Sequence, residues 1–220
     1  MLGSMPRTRT VRALVVIALL AAVSGCGSAS VSSPPSGVDG LTIPTPSPDP
    51  ADFVADVDNP WLPLPAGRTW TYDVVEVTDS HRLVVRTTAG PDIAGVATTA
   101  RISTEEGTTT TDWFAQDAAG NVWWFGRAGE WRAGEDGAEA GLAMAATPRV
   151  GDGYEMGDGA RANVEAVDDQ VAVPAGTYDD VVRIEAVTHE GVSQRAYASG
   201  VGLVQETLGS RIERLEGVSG

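Results

Sequence analysis

From Phe53 onward the chain repeats one pattern: short runs in which apolar or aromatic residues alternate with polar ones, each closed by a Gly-bearing turn. A period of two puts alternate side chains on opposite faces of a strand, and it cannot be satisfied by a helix. Arg68 to Val77 is the clearest case, with Trp70, Tyr72 and Val74 on one face. His81–Thr88, Ile93–Glu105, Ala162–Val173, Asp179–His189, Gln194–Ala198, Gly202–Leu208 and Arg211–Leu215 read as further strands. Thr108–Asp117 and Asn121–Gly126 read as a hairpin closed by Ala118-Ala119-Gly120. About ten short strands at regular spacing predict an all-β domain, a largely antiparallel curved sheet or partly open barrel. Gly129 to Gly159 breaks the pattern; it reads as a long loop, and its composition allows a short helix near Ala138–Ala146.

The residues before Phe53 do not fit that domain. Arg7, Arg9 and Arg12 precede an uncharged run from Ala13 to Val23, then Ser24-Gly25-Cys26. This order resembles a bacterial lipoprotein signal peptide over residues 1–25, and an apolar run of about 11 residues is too short to span a bilayer. The resemblance implies that Cys26 is the first mature residue and carries a diacylglycerol and a palmitate-type acyl chain. It also implies that the mature protein is held on the exterior face of the cell membrane. Residues 26–52 are rich in Ser, Pro and Gly, including Pro44-Thr45-Pro46-Ser47-Pro48. They read as a disordered tether, ~30 Å long as a coil and ~80 Å if fully extended. A single β domain over residues 53–217 is then expected to stand on its apolar core, because the only cysteine is committed to lipid.

The formal net charge is −15, and the signal segment carries three arginines and no acid. So acidic a domain is repelled by nucleic acid. Lysine is absent, which with the abundant Ala, Gly and Val suggests a G- and C-rich, actinobacterial-type genome.

No catalytic motif is present. Neither His81 nor His189 accompanies a Gly-x-Ser-x-Gly elbow. Two distant histidines cannot build a zinc site, and the acidic turns lack calcium-loop spacing, so no metal or cofactor other than the covalent lipid is expected. Neighbouring acids such as Glu105-Glu106 point to opposite faces of a strand and cannot flank one bond. The six tryptophans read mainly as core. Trp124 and Trp131, beside the irregular stretch, are the candidates for lining a ligand site on the concave face.

Several stretches resemble, in the same order, a family of uncharacterised bacterial exported proteins and lipoproteins. They are Asn59-Pro60-Trp61-Leu62-Pro63-Leu64-Pro65-Ala66-Gly67, Asp112-Trp113-Phe114-Ala115-Gln116-Asp117, Gly120-Asn121-Val122-Trp123-Trp124-Phe125-Gly126, Val173-Pro174-Ala175-Gly176-Thr177-Tyr178 and Gly200-Val201-Gly202-Leu203-Val204. The resemblance implies export and brings no activity. This chain departs from it at Ala145-Ala146-Thr147-Pro148, where members often carry a His, and at Ser199, where they often carry Pro. Three readings follow: a non-enzymatic envelope lipoprotein binding an apolar or amphiphilic small molecule, a module docking another envelope protein, and a hydrolase.

Overall fold

A computed structural model describes residues 41–42 and 48–220. Cys26 and the signal segment lie outside the described residues. Fifteen strands form one sheet. They are β1 (Leu41–Thr42), β2 (Phe53–Val54), β3 (Thr69–Val75), β4 (Ser80–Ile93), β5 (Val96–Glu105), β6 (Thr108–Asp117), β7 (Val122–Arg127) and β8 (Trp131–Arg132). Then follow β9 (Gly141–Met144), β10 (Asp152–Gly157), β11 (Ala160–Val173), β12 (Gly176–Thr188), β13 (Gly191–Ala198), β14 (Gly202–Leu208) and β15 (Arg211–Ser219). Among the described residues the other regular element is one 3₁₀ turn, Pro50–Asp52, capped by the Asp49 side chain.

The chain runs up and down from β3 to β7, then again from β10 to β15, and β15 zips antiparallel onto β3. The sheet is thus a long antiparallel meander that curls without closing into a barrel. Register shifts along β11–β12 and β4–β5 mark bulges, which bend strands and deepen the curl. Two short pieces of the stretch read as tether have regular backbone: the 3₁₀ turn, and β1, which pairs parallel with Asp152-Gly153.

Two expectations need correction. Ile93–Glu105 is not one strand, because the chain reverses at Ala94-Gly95. Both residues have positive φ (49° and 82°), the conformation of a two-residue hairpin turn. Glu106-Gly107 makes the same turn between β5 and β6. Gly129–Gly159 is not a loop with a helix, since it contains β8, β9 and β10. Gly141-Leu142-Ala143-Met144 is buried throughout, so it shows no period-two alternation to betray a strand. The two Pro-Ala-Gly turns serve different connections. Pro65-Ala66-Gly67 leads into β3, whereas Pro174-Ala175 is the hairpin between β11 and β12.

Cross-strand partners show which residues share the concave face. Trp70, Tyr72 and Val74 lie there as their alternation predicts, opposite Val85, Leu83 and His81 on β4. Leu215, Ile184, Ala186 and Val164 continue the buried layer around the curl. The segment between β2 and β3 is pegged by Asn59, whose side-chain amide donates to the carbonyls of Gly120 and Ala145. Its Oδ1 accepts from the backbone N–H of Trp61 and Leu62. Gln116 reaches the same segment, accepting from Asp58 and Asn59 N–H and donating to the Asp58 carboxylate. Asp117 accepts from Ala119 and Asn121 N–H and from the Trp123 indole, and so fastens the β6–β7 turn. These motif residues therefore hold the fold together.

Candidate functional site

A cleft of about 390 Å³ opens on the concave face. Its position follows from register. Arg101 on β5 faces Asp112 on β6, which faces Arg127 on β7. Two residues along β6 on the same side lies Phe114, partnered with Trp124 on β7. On the other half of the sheet Arg195 faces Glu206, which faces Glu213. The two halves meet across the cleft, with Met156, Ala160 and Leu203 completing an apolar wall beside Phe114 and Trp124.

The charged groups are paired in rows. Arg127 Nε donates to Asp112 Oδ1 at 2.8 Å and Nη2 to Oδ2 at 3.3 Å. Arg195 Nε donates to Glu206 at 2.8 Å. Arg211 donates to both oxygens of Glu105, at 2.7 and 3.0 Å, and to Glu213 at 2.8 Å. His81 bonds the same Glu105 carboxylate through Nε2. That hydrogen bond raises the His81 pKa. Burial by itself would raise Glu105, but Arg211 and His81 together hold it below the ordinary carboxylate value.

Glu206 and Glu213 sit directly opposite each other on neighbouring strands. Like charges in that geometry repel. Burial would raise both; Arg195 outweighs it for Glu206, which lies below the ordinary value. For Glu213, burial and then the charge of Glu206 win, and its pKa is raised despite Arg211. A carboxyl whose folded pKa is raised favours the fold below its unfolded pKa, and that advantage is lost as pH rises through the folded pKa. Glu213→Gln, which fixes the uncharged form, is therefore expected to stabilise the protein at pH 8 by up to about 1 kcal/mol. The gain should vanish below about pH 4, where the wild-type carboxyl is protonated. Thermal melts of both proteins at the two pH values test this, and a less stable variant at pH 8 would refute it.

Burial also raises the hydroxyl pKa of Tyr72, Tyr154 and Tyr197. All three stay neutral at physiological pH; Tyr72 donates to the carbonyl of Leu203. Of the two tryptophans singled out from sequence, Trp124 lines the cleft and Trp131 does not. Trp131 stands edge-on against Trp124, with ring centres 4.9 Å apart at 84°, and so braces the wall from behind. Arg101, Glu206 and Glu213 carry no local signal of a site.

For metal chemistry, Asp79, His81 and Glu106 bring one ligand atom each within 4.8 Å of one another. Two of the three are exposed carboxylates and the imidazole is engaged by Glu105, so nothing encloses an ion there. Among the described residues no serine hydroxyl bonds either nitrogen of His81, and Nδ1 has no partner. His189 is exposed at the β12–β13 turn, 3.9 Å from Glu190.

No family model matches the chain, and no curated protein matches it, so the family resemblance rests on the motif residues alone. Two solved structures are similar in outline. One is a protein of YmcC-like fold from Bacteroides fragilis NCTC 9343, inferred to be exported. It is 13% identical, with a TM-score of 0.42, covering 73% of this chain and 99% of that one. The other is an inferred lipoprotein of Parabacteroides distasonis ATCC 8503. It is 10% identical, with a TM-score of 0.35 and the same coverage.

Proposed function

We propose that this protein is a membrane-anchored lipoprotein of the cell envelope that binds a small amphiphilic molecule in the cleft of its curved sheet. The observation that carries the reading is the cleft itself. Its volume falls within the range of about 300–1,000 Å³ usual for small-molecule sites, and its wall is apolar on one part and charged on another. A water-filled groove needs no tryptophan and phenylalanine on its wall, and a filled core needs no arginines. The lipoprotein part of the reading rests on the Arg-rich, apolar, Ser-Gly-Cys order ending at Cys26.

Docking of another envelope protein is the weaker reading. The exposed large apolar residues are valines on separate elements, apart from the cross-strand pair Val187 and Val192. Scattered single residues of this kind are ordinary surface.

Intact mass spectrometry of the protein extracted from the membranes of its own host tests both halves at once. The mature chain should begin at Cys26 and carry an acyl-lipid mass. Under native conditions a second, non-covalent species of a few hundred daltons should travel with it. A mature chain without lipid sinks the anchor, and repeated recovery of lipidated but otherwise bare protein sinks the ligand.

A further inference from the structure

The four arginines of the cleft are not equally satisfied. Arg127, Arg195 and Arg211 each donate to a carboxylate at hydrogen-bond distance. Arg101 does not. The carboxylate oxygen it reaches, Asp112 Oδ2, is 3.9 Å from Nη1, and both oxygens of that carboxylate already accept from Arg127. The Arg101 side chain is 21% exposed, and its guanidinium nitrogens keep access to the cleft's solvent while making no hydrogen bond among the described residues. A guanidinium cannot shed its proton, and its five N–H donors sit in a fixed fork that matches a planar or tetrahedral oxyanion.

Asp112 is the carboxylate nearest Arg101, and it is held by Arg127, which also lies 3.9 Å from Glu190; among the described residues Arg101 makes no side-chain hydrogen bond of its own. Of the other carboxylates, Glu206 is held by Arg195 and Glu105 by Arg211 and His81, while Glu213 shares Arg211 and also feels the charge of Arg101. Immediately beside Arg101 and Asp112, on the same face of β6, begins the apolar wall of Phe114, Trp124 and Met156. A cation at the foot of an apolar wall complements a molecule with a negative head and a greasy tail.

We infer that the ligand is a single-chain amphiphile with an anionic head, a carboxylate or a phosphate monoester. Its head is held by the Arg101 fork and its chain lies along Phe114, Trp124 and Met156. This rests on the reading of the cleft as a ligand site. The cleft volume has room for one chain. Among the described residues, Arg101 is the one cleft arginine that donates to no carboxylate, and each of the others would have to give one up to take the head.

Photo-crosslinking on the full-length protein in isolated membranes tests the head group apart from the cleft. The probe is a dodecanoic acid carrying a diazirine and an alkyne on its chain. The wild type should capture it on peptides containing Phe114 or Trp124. Lauric acid or dodecyl phosphate should compete at least ten-fold better than dodecanol or dodecyltrimethylammonium. Arg101→Gln should lower capture about ten-fold with an unchanged melting temperature, and Arg101→Lys, which keeps the charge and loses the fork, should fall between. If Arg101→Gln fails to fold, the competitor ranking on the wild type decides alone. Equal competition by all four C12 compounds overturns the anionic head while leaving an amphiphile-binding cleft. Absence of crosslinks to the cleft peptides, with the diazirine acid and with an equivalent diazirine dodecanol, overturns both. Preference for phosphate over carboxylate, or the reverse, assigns the head within the proposed class.

Discussion

Asn59→Ala is expected to cost the fold about 3–4 kcal/mol, more than half of a marginal domain's stability. The side chain is 2% exposed and makes four hydrogen bonds to backbone groups of three separate segments. Alanine leaves the N–H groups of Trp61 and Leu62 without their acceptor and the carbonyls of Gly120 and Ala145 without their donor. Each stranded buried group costs about 1–3 kcal/mol, reduced where water can enter. Asn59→Asp tests the same geometry in another way. It keeps the acceptor for the two N–H groups but turns an anionic oxygen toward two carbonyls, so it should be no milder than alanine. Urea unfolding gives the answer, and a loss under 1 kcal/mol for alanine would show that the peg is not structural. Leu62, whose N–H donates directly to Asn59 Oδ1, lines the cleft, so the alanine variant should also bind any cleft ligand less well.

The strands from β3 to β7 and from β11 to β15 were legible because period-two alternation is local and their residues lie near one another along the chain. Trp70, Tyr72 and Val74 fall on the buried face as read. The end of β4 was not legible, because its turn is Ala94-Gly95, and Ala is not a residue that announces a left-handed position. β9 was hidden for a different reason: it is covered on both faces, and complete burial erases alternation. The cleft was the least legible part. Arg195 and Glu206, or Arg211 and Glu105, look like ordinary solvated strand positions, and their meeting depends on pairings as distant as 106 residues. One signal was available. Arg195 shares its parity with Tyr197, a residue buried to 7% exposure, so that arginine had to point inward with it.

The second large effect is expected at the seam where the two ends of the curl approach. Gly141 on β9 lies against the backbone of β10. A Cβ built on it would stand 1.9 Å from the nitrogen of Gly157 and 1.9 Å from the carbonyl carbon of Met156. No rotamer relieves such a contact, because both neighbours are main chain. On the β10 side, Gly157 is itself pressed by the Trp131 ring, where a Cβ would meet Cη2 at 2.8 Å. Gly141→Val should therefore push β9 and β10 apart at a cost of about 3 kcal/mol or more, at the upper end of overpacking effects. Gly107→Ala provides the contrast. Gly107 has φ of 85° and open space around its Cβ position, so only conformational strain is at stake, about 1 kcal/mol. Hydrogen exchange locates the damage: amides of β9 and β10 should lose protection in Gly141→Val while those of β12 and β13 keep most of theirs. Met156 and Ala143 face the cleft from these two strands, so parting them also spoils its apolar wall. If Gly141→Val proves no more harmful than Gly107→Ala, the two backbones are not in contact, and the cleft would have to be bounded on that side by something other than this seam.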